Sequence, residues 1–169
     1  MITTARPLIS VVVPSLNSSE FLPNALRSAL GQGVELEVVI QDGGSTDGTH
    51  HMVAALQEPR IRFFSGQDSG QADAINRAVA HARGDWMVWL NADDVLVDGA
   101  LQSVTTALDD CVDFVYGDAL LLVREEKRSA TVPRTTFRLP RILSATWVCD
   151  LLRQRRDSAT VVPGLGWAG

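Results

Sequence analysis

Asp93 and Asp94 are adjacent carboxylates at the end of the apolar run 86–90, reached through Asn91 and Ala92. Two such charges repel each other unless a cation or a hydrogen-bond donor stands between them. Short aspartates grip a hard divalent ion through one or two oxygens and leave its other positions to water or phosphate oxygens. Three further clusters carry groups of the same kind: Pro14, Ser15 and Asn17; Asp42, Gly43, Gly44 and Asp47; Asp68 and Asp73. Any one of them is explained as an ordinary polar connection. All four on one edge of a fold would make a site for an anionic ligand bridged by Mg2+ or Mn2+.

The elements decide whether the clusters share an edge. Residues 9–13 are a β-branched run before Pro14 and predict a buried strand. Residues 36–40, 61–64 and 86–90 predict three more. Phe21, Leu22, Ala25, Leu26, Ala29 and Leu30 form one helical stripe, with Ser18 or Ser19 as its cap and Gly31 as its stop. Met52, Val53 and Leu56 mark a second helix ending before Pro59. Ala72, Ile75, Val79 and Ala82 mark a third, stopped at Gly84. Asp98 is placed to cap a fourth through Leu101, Val104 and Leu108. Residues 112–116 and 119–123 read as strands, 130–132 as the return of a hairpin, and Leu151 and Leu152 as part of a short helix. Apolar strands alternating with helices predict a parallel sheet covered on both faces. Ligands of such sheets bind beyond the carboxyl ends of the strands, which is where each of the four clusters falls.

A chain of 169 residues suffices for one domain with a core of its own. Cys111 and Cys149 lie outside any metal or redox spacing and read as apolar residues of a reducing compartment. The apolar runs are too short for a signal peptide or a membrane span, so a cytoplasmic protein with at most peripheral membrane association is expected. The net charge of −5 is unevenly divided: residues 1–133 hold 9 basic and 18 acidic side chains, residues 134–169 hold 6 and 2. An acidic body argues against nucleic acid as a partner. The same division separates a ligand-binding domain, 1–133, from an atypical basic tail, 134–169.

The loop Pro14-Ser15-Leu16-Asn17 has neither glycine nor lysine, which excludes the dinucleotide and P-loop phosphate cradles. Residues 45–49 are similar to the D-x-D-G-T signature of aspartate-nucleophile phosphatases, but Ser45 stands where the nucleophile belongs. Taken together, Ile9-Ser10-Val11-Val12-Val13-Pro14-Ser15-Leu16-Asn17, Val38-Val39-Ile40-Gln41-Asp42-Gly43-Gly44-Ser45-Thr46-Asp47-Gly48-Thr49 and Gly84-Asp85-Trp86 through Leu90-Asn91-Ala92-Asp93-Asp94 resemble family 2 glycosyltransferases. Asp68-Ser69-Gly70-Gln71-Ala72-Asp73-Ala74-Ile75-Asn76 resembles a segment of that family's bacterial members. Order and spacing agree over about residues 8–120.

The resemblance implies an α/β GT-A (Rossmann-like) fold, a mostly parallel sheet flanked by helices. It implies inverting, metal-assisted transfer of a sugar from a nucleotide-diphosphate donor to a glycan or lipid-linked acceptor, in polysaccharide or cell-envelope glycan biosynthesis. By the same resemblance Pro14, Ser15 and Asn17 line the base, and Asp42 bonds base or ribose. Gly43 and Gly44 let the chain pass close to the nucleotide, while Asp68 and Asn91 border it. Asp93 faces the ribose, and Asp94 beside it ligates Mg2+ or Mn2+. Asp47, with Ser45 and Thr46, reads as helix-capping. His50 and His51 read as surface residues, and Tyr116-Gly117-Asp118 recurs in the family without an assigned role.

The chain also departs from the family. Gly43 stands where many relatives carry a second aspartate, and Leu16 where an aromatic residue is common. Only 75 residues follow Asp94, and the acids beyond residue 126 are Asp150 and Asp157, neither in a recognisable motif for the family's catalytic base. From about residue 139 the resemblance fades, and the basic cluster 153–156 and the ending Pro163-Gly164-Leu165-Gly166 suggest a truncated acceptor-binding half. The alternative expectation is a non-catalytic nucleotide-sugar-binding module that needs a partner chain. A metal-dependent phosphatase or nucleotidyltransferase on a similar sheet is a third.

Overall fold

The structure is a computed structural model that describes residues 8–106 and 108, with the strand segments 114–115, 120–122, 129–131 and 151–153. Strand and helix alternate as β1 (Ile9–Ser15), α1 (Leu22–Leu30), β2 (Leu36–Asp42), α2 (Thr49–Ala55), β3 (Ile61–Ser65), α3 (Gln71–His81), β4 (Trp86–Trp89) and α4 (Ala100–Thr105). Short strands follow as β5 (Phe114–Val115), β6 (Leu120–Leu122), β7 (Ser129–Thr131) and β8 (Leu151–Arg153). The main sheet runs β3-β2-β1-β4-β8-β5, and β6 pairs with β7 in the expected antiparallel hairpin. The first four strands are mutually parallel.

Strand alternation sorts the core into two layers. Val11 and Val13 of β1, Val38 and Ile40 of β2 and Val88 of β4 face α1, α2 and α4 through Leu22, Leu26, Val53 and Leu101. Val12, Val39 and Met87 face the other way, onto Ala78 of α3. The sheet is thus covered on both faces, which is what its continuously apolar strands require.

Several local expectations are corrected. β1 continues through Pro14 to Ser15. Peptide groups of its odd residues turn to β2, as in Ile9 N to Glu35 O and Gly43 N to Ser15 O. Those of its even residues turn to β4, as in Leu90 N to Val12 O. Pro14 therefore lacks a donor only on the β4 side, where β4 has already ended at Trp89, and no ladder bond is lost. Helix α1 starts at Leu22 without a serine side-chain cap; the Ser18 carbonyl accepts the Phe21 and Leu22 N–H groups, and Phe21 is left exposed. In α3 the buried stripe is Ala74, Ile75 and Ala78, and the helix ends at His81, short of Gly84. Gly99, not Asp98, precedes α4, in the left-handed conformation that glycine adopts at little cost. Leu151 and Leu152 form a strand, antiparallel to both β4 and β5, instead of a helix. Among the described residues no helix is long and apolar enough to cross a membrane.

A buried polar network locks the opposite, amino end of the sheet. Glu37 is 7% exposed and accepts from Ser10 Oγ at 2.7 Å, Arg83 N at 2.5 Å and Arg62 Nη1 at 3.2 Å, while Ser10 Oγ accepts from Gly84 N. Burial pushes the Glu37 carboxyl up, but these hydrogen bonds and the Arg62 charge together hold it below its ordinary 4.5. Its stabilisation is therefore complete above pH 4.5 and lost as pH falls through the lower folded value. Glu37→Gln is expected to cost about 1.5–3 kcal/mol at neutral pH. In melting curves from pH 7 to 3 the gap to wild type should close at the acid end. A gap independent of pH would contradict this role.

Candidate donor and metal site

The topology sets the place of the site. From β1 the chain builds outward through β2 to β3, then returns to lay β4 on the other side of β1. The loops after β1 and β4 diverge at this switch point and open a crevice beyond the strand ends, the usual ligand position in such sheets. Ser15 stands opposite Asp42, Asp42 opposite Ser65, and Val12 opposite Trp89. All four polar clusters therefore lie on one edge.

Two of the loops are stitched into a floor. Asn17, in the left-handed conformation with φ 49°, donates its N–H to Ser45 Oγ at 2.7 Å and accepts from Thr46 N at 3.0 Å. Ser18 N donates to Thr49 Oγ1 and Ser19 N to Asp47 Oδ2. Asp47 Oδ1 also accepts from the N–H and hydroxyl of Thr49, so it secures the start of α2 as expected. The Thr49 hydroxyl first, then the Ser19 N–H, hold its carboxyl far below the usual carboxylate range.

Asp42 is 1% exposed, and its own surroundings use its acceptor capacity. Oδ2 takes Gly44 N at 3.1 Å, Ser45 N at 2.9 Å and Ser65 Oγ at 2.9 Å, and Oδ1 takes Ser45 Oγ. The carboxylate binds the turn after β2 to the end of β3. Gly43 has no Cβ, and a Cβ built there would lie 2.9 Å from Asp68 Oδ2. Asp68, held by Gly70 N on Oδ1, thus reaches across from the β3–α3 loop to the tip of β2. Asp73 turns away, accepting from Ser69 N and pairing with Arg77 at 2.8 Å along α3. His50 and His51 are exposed, with His50 stacked on Phe63.

At the end of β4, Asn91 is 6% exposed and Asp93 is open to solvent. Asn91 Nδ2 donates to Asp94 Oδ2 at 2.9 Å, and Asn91 Oδ1 accepts from Gln71 Nε2 at 2.8 Å. Partial burial pushes the Asp94 carboxyl above its ordinary 3.8; the Asn91 bond opposes this and the Asp93 charge adds to it. Among the described residues, Asp94 Oδ1 and both Asp93 oxygens have no donor, and no group of three or more His, Cys, Asp or Glu forms a ready cage. Asp93 and Asp94 could give a hard cation one or two oxygens, with its other positions left to water or phosphate. Ser15 Oγ, at the end of β1, is buried and has no hydrogen-bond partner among the described residues.

The structure thus assembles Pro14, Ser15, Asn17, Asp42, Gly43, Gly44, Asp68, Asn91, Asp93 and Asp94 on one edge and leaves Asp73 aside. Sequence reading missed Gln71 and Ser65, and missed Ser45 as a partner of Asp42. The three-residue step from Asp42 to Ser45 is a local turn signal; Gln71 and Ser65 reach their partners only through the fold. Tyr116, Asp118, Asp150 and Asp157 lie outside the described residues.

Comparison with known proteins agrees with this arrangement. A biosynthesis glycosyltransferase for PGL/p-HBAD from Mycobacterium bovis is 35% identical over 124 residues, 69% of this chain and 48% of the relative. The succinoglycan biosynthesis protein ExoO of Rhizobium meliloti is 34% identical over 125 residues, 73% of this chain and 36% of its own. This chain therefore spans about half the length, or less, of these curated relatives. Among solved structures, the mannosyltransferase PcManGT from Pyrobaculum calidifontis, in complex with GDP-Man and Mn2+, superposes with a TM-score of 0.59 at 30% identity, covering 66% of this chain and 35% of that one. The profile of Glycosyl transferase family 2 matches residues 10–146, further into the tail than the recognisable motifs reach. With a GT-A sheet, its loops on one edge and a profile match over most of its length, the chain belongs to glycosyl transferase family 2.

Proposed function

We propose that this chain is the donor-binding part of a glycosyltransferase that moves a sugar, with inversion, from a nucleotide-diphosphate donor to an acceptor hydroxyl. The single observation that carries the reading is the pair of adjacent carboxylates, exposed Asp93 and half-buried Asp94, at the β1/β4 switch point. Asp94, with Asp93 beside it, would hold Mg2+ or Mn2+. Such a cation supplies a Lewis acid that takes up charge on the departing diphosphate. Support comes from PcManGT, whose structure carries GDP-Man and Mn2+.

Pro14, Ser15 and Asn17 form the wall for the base, with Leu16, 60% exposed, offering an apolar face without an aromatic ring. Asp42 acts through its loop: it fixes the Gly43–Gly44 backbone that the nucleotide lies against. Asp68 reaches the same tip, and Asn91 orients Asp94. In the transfer, the acceptor oxygen bonds to the anomeric carbon as the bond to the diphosphate breaks, and a carboxylate on the acceptor side takes the hydroxyl proton. The acceptor is a glycan or lipid-linked hydroxyl, and the name of the succinoglycan biosynthesis relative supports the glycan. The unpaired spacing of Cys111 and Cys149 supports a cytoplasmic setting.

The test supplies Mn2+, a hydroxyl acceptor panel and a panel of nucleotide sugars. Release of nucleoside diphosphate with an inverted glycoside, seen by NMR, is the expected result. Donor binding without release, restored to transfer by a partner chain, would identify a non-catalytic module instead. Release of inorganic phosphate or pyrophosphate would refute the reading.

A further inference from the structure

We propose that Gln71 is a positioning residue for the cation site, acting on Asp94 through Asn91. The inference rests on the metal-assisted reading above and assigns the device that aims its carboxylate. Asp94 as a carboxylate only accepts, so Asn91 must turn its Nδ2 toward it at 2.9 Å. The Asn91 Oδ1 then faces away, and Gln71 Nε2, 2.8 Å distant, is the donor that meets it. Without that donor only the bond to Asp94 holds the carboxamide's sense of rotation, and its buried oxygen is left without a bond.

The supporting geometry is built in. Gln71 is the first residue of α3, and Gly70 before it sits at φ 121° and ψ 178°, a combination almost confined to glycine. That kink sets Gln71 across from the end of β4, twenty residues further along the chain. Asn91 is 6% exposed and is held from both ends, so both its amide nitrogen and its oxygen are engaged by the protein. Partners of this kind fix the direction of a ligating side chain, and their loss commonly weakens metal binding by about 10–100-fold.

The experiment measures Mn2+ binding by electron paramagnetic resonance, with Mn2+ alone and with GDP or UDP added. Gln71→Met, at an exposed position, is expected to stay folded with a melting temperature lowered by only a few degrees, the cost of one stranded Asn91 acceptor, and to weaken Mn2+ binding about tenfold or more. In an Asn91→Ala background, where there is no amide to orient, Gln71→Met should add nothing. Wild-type affinity in Gln71→Met, or an equal loss in both backgrounds, would overturn the positioning role while leaving the metal site standing. Failure of the wild-type protein to take up Mn2+ under any of these conditions would remove the metal-assisted reading itself, and this inference with it.

Discussion

Asp94→Ala is expected to weaken Mn2+-dependent nucleotide binding at least about hundredfold, close to 3 kcal/mol, and to remove sugar transfer. The fold should survive. Asp94 is half-buried beside Asp93, and both burial and that neighbour disfavour its charge, so its ionised form is no asset to the empty protein at neutral pH. Removing it also frees one N–H of the buried Asn91 amide, a cost of about 1 kcal/mol that loss of the disfavoured charge partly offsets. The net change in melting temperature should stay within about 3 °C, roughly 1 kcal/mol for a chain of this size. Asp94→Asn, which keeps the shape but cannot offer an anionic oxygen, should behave the same way toward Mn2+. Titration calorimetry with and without chelator reads the effect, and an unchanged metal dependence would take Asp94 out of the site.

Asp42→Ala should do the reverse, damaging the fold first. It leaves the Gly44 and Ser45 N–H groups and the Ser45 and Ser65 hydroxyls without their acceptor at a position 1% exposed. A cost of about 3–5 kcal/mol follows from stranding several donors of a buried charge. That corresponds to a fall in melting temperature of about 10 °C or more. If Asp42 instead served mainly as a direct contact to base or ribose, the variant would melt like wild type and lose only nucleotide affinity. The two outcomes separate cleanly in one melting curve and one titration.

Much of the fold was legible because its signals are local. The β-branched runs and the helical stripes recur at fixed spacing, and parallel strands joined by helices necessarily bring their carboxyl ends to one edge. The cluster around Asp93 and Asp94 needed no more than that. What the sequence did not reveal was non-local. Strand β8 is three residues long and pairs with β4, more than sixty positions earlier, so its residues carry too little pattern to tell strand from helix. The saturation of Asp42 depends on Ser65, a neighbour only across β2 and β3. The contact of Gln71 with Asn91 depends on β4 returning beside β1 with α3 packed behind it. Pro14 misled in a simpler way: its missing donor is harmful only where a neighbour strand is present, and β4 is too short to reach it.

The proposed function requires that a divalent cation at the tips of β1 and β4 couple this acidic chain to a diphosphate. Its most direct test is calorimetric titration of the wild-type chain with GDP and UDP, once in Mn2+ and once in chelator. Binding of at least one nucleotide in Mn2+, weakened about hundredfold or more when the metal is removed, is the predicted result. Equal affinity in both conditions, or no binding of either nucleotide with Mn2+ present, would contradict it.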